Sequence, residues 1–124
     1  YFHRDHSKLS LKENREEILN SVNFIEAACG TKVQLFAPPS GAYNDDTIAA
    51  AEELGLKSIM WSKDTIDWRD KDENIAFRKA TQEVKGGDLI LMHPMEHTLA
   101  ALPKILQHYR DNGLRAICVG DNIG

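Results

Sequence analysis

His93 closes the apolar run Leu89–Met92 and is followed by Pro94. An imidazole at such a place can take or deliver a proton near neutral pH, and a neighbouring carboxylate can hold it charged and oriented. Asp64 and Asp67 offer that carboxylate in the polar segment Ser62–Asp72, and Trp68 comes next with a ring broad enough to wall a groove. Further back, Pro38-Pro39-Ser40-Gly41 makes a stiff loop whose N–H groups can face a developing oxyanion. Together these residue types suit acyl transfer or hydrolysis. The sequence has no G-x-S-x-G elbow, and neither Cys29 nor Cys118 is well placed as a nucleophile. A metal-activated water is then the natural attacking group, with His3 and His6 as the ligands at hand.

Each residue also has a plainer reading. His93 can be a satisfied structural histidine. Asp64 and Asp67 can cap turns, as Asp often does. Trp68 can belong to a core. His3 and His6 read as solvated residues at the start of the sequence, and Pro38-Pro39 as a stiffener only. Cys29 and Cys118 read as small buried thiols, with a disulfide as the alternative, and neither has a second Cys close enough for a zinc signature.

The elements that must position these groups alternate between helix and strand. Ser10 and Glu13 form a capping box ahead of a helix with Ile18, Val22, Ile25 and Cys29 on its inner face, stopped by Gly30. Val33–Phe36 reads as a strand. Asn44 caps a second helix facing inward with Ile48, Ala51 and Leu54, closed by Gly55. Ser58–Trp61 is the next strand, and Ser62–Asp72 a loop. A third helix carries Ala76, Ala80 and Val84 up to Gly86-Gly87. Asp88–Met92 shows no alternation, so both faces of that strand are expected to be buried. A fourth helix holds Leu102, Ile105 and Tyr109 with Pro103 in its first turns, and Ala116–Val119 is expected to be the last strand. One helix between successive strands means βαβ crossovers and a parallel sheet, either open or part of a (β/α) barrel. The candidate residues then fall just after strands, on the rim where parallel α/β folds collect function.

Composition narrows the classes. At 124 residues the chain fits one domain. Its 42% apolar content argues against disorder. No apolar run approaches the roughly 20 residues of a membrane span. Fifteen Lys and Arg against nineteen Asp and Glu, with no basic cluster, argue against nucleic acid as the main partner. The chain begins at Tyr1 with no signal peptide, and reads as an excised or processed piece.

At the level of motifs the chain resembles the NodB-type polysaccharide deacetylases, carbohydrate esterase family four. "DTIDW" at Asp64–Trp68 resembles the family's D-x-x-D-W, and "LMH" at Leu91–His93 its L-x-H. "HTLAALPKIL", after that last motif, is also typical. "FAPPSGAYN" resembles R-x-P-x-G, and "YFHRDHSKLS" resembles the segment that ends H-[ST]-x-x-H. The four motifs stand in order after the expected strands. The resemblance implies that residues 1–124 are the C-terminal part of a single deacetylase domain, a distorted (β/α) barrel. It implies a bacterial parent, secreted or at the cell surface, acting on N-acetylated polysaccharide such as peptidoglycan or chitin-like polymers.

The same resemblance implies roles. A divalent metal, usually zinc, is held by an Asp and two His; a second Asp acts as base on the attacking water. By position, His3 is the second metal His, His93 the general acid and Asp67 the group that orients it. Trp68 and Leu91 line the acetate pocket, and the Ser40 N–H is the oxyanion donor. The chain departs from the pattern in two ways. The T-F-D-D motif and the first metal His are absent and are expected before Tyr1, so this piece alone is expected to be inactive. Ala37 also stands where the family has an Arg. That second departure sustains an alternative, a deacetylase-like glycan-binding protein without catalysis.

Overall fold

The computed structural model describes residues 1–123, which form two compact units, 1–60 and 61–123.

In the first unit a 3-10 turn over His6–Lys8 leads into α1, Leu11–Cys29. The helix starts at the expected capping box. The Ser10 side chain accepts from the Glu13 N–H while the Glu13 carboxylate accepts from the Ser10 N–H. Gly30 ends it in the left-handed region at φ 65°, where a Cβ would be strained. β1 is Leu35–Phe36, a second 3-10 turn covers Pro39–Gly41, α2 is Asp45–Glu53 and β2 is Lys57–Ser58. β1 and β2 pair in parallel, Leu35 opposite Lys57 and Phe36 opposite Ser58. Ile18, Ala50, Ala51 and Leu56 form the core, flanked by Leu11, Val22, Val33, Phe36 and Leu54.

Two inner faces differ from expectation. α2 buries Thr47, Ala50 and Ala51, so its inner stripe is rotated and Ile48 and Leu54 are only half-buried. The rotation follows from Thr47, whose hydroxyl is tied to the Asn44 side chain at 2.8 Å and to the His6 carbonyl at 3.1 Å. On α1, Ile25 is 45% exposed and Cys29 is exposed. Cys118 is also an exposed free thiol, so the expectation of two buried cysteines is corrected.

The second unit contains β3 (Lys63–Asp64), α3 (Asp67–Asp70), α4 (Glu73–Thr81), β4 (Ile90–Leu91), α5 (Glu96–Asp111) and α6 (Val119–Ile123). β3 and β4 pair in parallel, Lys63 opposite Ile90 and Asp64 opposite Leu91. β3 lies in the segment read as loop; two residues of Lys-Asp carry no apolar signal, and the pairing comes from the partner strand. α4 and α5 meet through Ala76, Ala80 and Ala101, with Ile105 and Tyr109 completing the core. The Tyr109 hydroxyl donates to the Ala80 carbonyl at 3.0 Å and fixes the spacing of the two helices.

Four expectations change here. Ala116–Val119 is not a strand. The Cys118 carbonyl accepts from the Asp121 and Asn122 N–H groups and so begins α6. Ala116, Ile117 and Cys118 remain exposed. Ile90 and Leu91 are half-buried, not covered on both faces. α4 ends at Thr81, before Val84 and the Gly86-Gly87 pair. Pro103 lies in the interior of α5, past its first turns, where its missing N–H leaves the Leu99 carbonyl without its helical donor. The parallel α/β character stands. No described helix is long and apolar enough to cross a membrane.

Candidate active site

The loop after β3 is built under strain. Ile66 stands at φ 54°, ψ 25°, a left-handed conformation that costs a β-branched residue roughly 1–2 kcal/mol. Local bonds hold it there. The Asp64 carboxylate accepts from the Ile66 N–H at 2.8 Å, and the Ile66 carbonyl accepts from the Arg69 and Asp70 N–H groups. Asp64 is therefore a turn-forming residue. Thr65, fully buried, donates to the Leu91 carbonyl through its hydroxyl at 2.9 Å and its N–H at 3.2 Å. These contacts deliver the nearby Asp67 into the interior.

Asp67 is 1% exposed and its carboxylate is saturated with donors. Oδ2 accepts from the His93 N–H at 2.7 Å and from the Thr98 hydroxyl at 2.7 Å. Oδ1 lies 2.7 Å from His93 Nδ1. Burial alone would raise the Asp67 carboxyl. The His93 N–H, the Thr98 hydroxyl and the His93 ring outweigh it and hold the carboxyl below its ordinary value. An ionised carboxylate only accepts, so His93 Nδ1 carries a proton and donates it. Nε2 has no hydrogen-bond partner among the described residues, and the ring is 40% exposed while Asp67 is covered. The pair is thus an anchored imidazole with one free nitrogen, a group able to hand a proton outward.

α5 supplies two residues that had no role in the sequence reading, although both open the family-typical segment "HTLAALPKIL". Thr98 is one. His97 is the other: its Nε2 lies 2.7 Å from the Asp67 main-chain carbonyl. The available signals were the four-residue spacing of His93 and His97 and a Thr in the first turn of a helix whose N-cap, Met95, makes no side-chain cap bond.

The remaining expected residues are spread over both units. Trp68 stands beside Asp67 on α3 and is 53% exposed. Leu91 is half-buried on β4. In the first unit Ser40 is exposed at φ 55°, inside a turn whose Gly41 and Ala42 N–H groups are taken by Pro38 and Pro39. The Ser40 N–H has no acceptor among the described residues, which leaves it available as a donor. His3 is exposed at φ 54° and makes no hydrogen bond among the described residues. His6 is not solvated: it is 2% exposed, with Nδ1 2.7 Å from the Asn14 side-chain oxygen and its ring against Phe36. It is a core residue that ties α1 to the turn before it.

Among the described residues no three His, Cys, Asp or Glu side chains converge to hold a metal ion. A catalytic zinc takes about three protein ligands. The donors that this chain brings together do not fit such a centre, and His3 is at most one contributor.

Residues 1–59 match the family model described as polysaccharide deacetylase. YlxY of Bacillus subtilis (strain 168) is 33% identical over 113 residues, covering 91% of this chain and 35% of that protein. The peptidoglycan-N-acetylglucosamine deacetylase PgdA of Listeria monocytogenes is 30% identical, covering 97% of this chain and 26% of that protein. The solved structure of BA3943, a CE4 family pseudoenzyme from Bacillus anthracis, superposes on all of this chain with TM-score 0.95 at 30% identity, over 44% of that structure. The chain belongs to the polysaccharide deacetylase family. It spans about a third or less of the length of YlxY and PgdA. The family model covers residues 1–59, and the likeness to BA3943 runs over the whole chain. A mutant of BA3943 has restored enzymatic activity, so the pseudoenzyme state of that protein is reversible by substitution.

Proposed function

We propose that the complete protein is a polysaccharide deacetylase that removes N-acetyl groups from N-acetylglucosamine-type cell-wall polymers, outside the cytoplasmic membrane. The strands described above are read as part of the family's distorted (β/α) barrel. The observation that carries the proposal is the Asp67–His93 pair, with a buried carboxylate on Nδ1 and an unpartnered Nε2. The name of PgdA, with its 30% identity, supports peptidoglycan as the substrate class; chitin-like polymers carry the same acetamide.

Hydrolysis forms a C–O bond to water and breaks the acetamide C–N bond. In this reading the base Asp implied by the resemblance takes a proton from the attacking water and the His93 Nε2–H gives its proton to the departing sugar nitrogen, so the products are acetate and the free amine. Asp67 keeps the ring oriented and balances the imidazolium charge before transfer. The Ser40 N–H is the proposed donor to the oxyanion, and Trp68 and Leu91 the proposed walls for the acetyl group. His3 is the proposed contribution of this chain to a zinc-type metal centre.

A second reading also has an observation behind it. Ala37 stands where the family's Arg is expected, and BA3943 is a pseudoenzyme. A protein that binds glycan without turnover would keep the same residues. Acetate release from chitin oligomers and peptidoglycan fragments by the complete protein, with zinc added, separates the two. Release supports the hydrolase; measurable glycan binding with no release supports the binding protein.

A further inference from the structure

His97 has no place in the proton transfer itself, yet it is bound to the residue that organises it. Its Nε2 reaches the Asp67 carbonyl at 2.7 Å. A carbonyl only accepts, so Nε2 carries the hydrogen and donates it. Beside it the Asp67 carbonyl has a long bond, 3.4 Å from the Lys71 N–H, at the start of a four-residue helix. Asp67 also comes directly after the left-handed Ile66, a backbone state that relaxes when its restraints are removed. Thr98, the next residue on α5, grips the Asp67 side chain. One turn of α5 therefore holds Asp67 by main chain and side chain together.

We propose that His97 is a positioning residue for the Asp67–His93 pair: it fixes the Asp67 main chain so that the carboxylate meets the His93 ring at bonding distance. This rests on the deacetylase reading for its effect on rate, but the geometric claim has its own readout.

The test uses the complete protein and three variants. His97→Ala and His97→Leu remove the donor, and His97→Leu keeps the space filled should His97→Ala fail to fold. His97→Gln retains an N–H donor near the same reach. The first readout is the proton resonance of His93 Nδ1–H, which is sharp only while the bond to Asp67 lasts. It should be present in the unsubstituted protein and His97→Gln, and broadened away in His97→Ala and His97→Leu. The second is acetate release. kcat should fall roughly tenfold in the two donorless variants with KM little changed, and His97→Gln should recover most of it. An unaltered resonance and rate in both donorless variants overturns the positioning role and leaves the deacetylase reading standing. If the unsubstituted protein releases no acetate, the deacetylase reading fails, and the resonance comparison still decides whether His97 positions the pair.

Discussion

The Thr98 hydroxyl and Asp67 Oδ2 lie 2.7 Å apart in the interior of the second unit, and Asp67 accepts two further bonds from His93. Three donors thus depend on one carboxylate. Asp67→Ala would leave all of them unsatisfied, two in or near the core. The expected loss of stability is about 3 kcal/mol, since an unpaired buried donor costs roughly 1–3 kcal/mol. Urea unfolding of the substituted and unsubstituted proteins gives the difference directly. A loss below about 0.5 kcal/mol, the range of ordinary surface changes, would mean the carboxylate does not organise this region.

Acid should act through the same group. The Asp67 carboxyl is held low in the folded state, its bonds to the His93 N–H, the Thr98 hydroxyl and the His93 ring outweighing burial. A group depressed on folding contributes stability that is fully present above its unfolded value of about 3.9 and lost as pH falls through the folded value. The thermal midpoint should therefore fall from about pH 5 downward. In Asp67→Asn the decline should be shallower, though not absent, because the Lys85 N–H and the Ser62 hydroxyl also hold Asp88 low. An identical acid limb in Asp67→Asn would remove Asp67 from this role.

Metal binding by this chain should be weak. Calorimetry with zinc at neutral pH is expected to show no tight one-to-one site on the 124-residue chain, since the described residues bring no three ligands together. A tight site centred on His3 would contradict the view that this chain contributes His3 alone.

Much of the site was legible because its signals are local. Asp67 and His93 each come after an apolar or turn-bounded segment, and the parallel α/β rule places such residues on one rim. Ser10 with Glu13, and Asn44 at the head of α2, were legible for the same reason: a cap is decided within four residues. What failed to show was non-local. Lys63-Asp64 becomes a strand only because Ile90-Leu91 lies beside it. Ala116–Val119 has a strand's composition, but the Cys118 carbonyl turns into a helix. His6 looked solvated because nothing in its neighbours announces Asn14 and Phe36 as its surroundings. His97 and Thr98 stand in the quoted segment "HTLAALPKIL", but their bonds to Asp67 are not legible there because the partner is about thirty residues away in sequence.

Ala37 offers a gain-of-function test. Ala37 is exposed, next to buried Pro38, and occupies the position at which the family's Arg is expected. In the complete protein Ala37→Arg should raise deacetylation by about 10–100-fold if a missing cation limits the rate, the scale on which a group orienting a catalytic residue acts. The assay is the initial rate of acetate release from a chitin oligomer. No gain, with folding intact, would place the limit elsewhere.

The most direct measurement is the rate of acetate release by the complete protein and by its His93→Ala variant, on the same N-acetylglucosamine oligomer and across pH. If His93 is the acid, the substitution lowers kcat by about 10²–10⁴-fold, with the circular dichroism spectrum unchanged. Acetate release that survives His93→Ala undiminished would contradict the assignment of His93 as the acid.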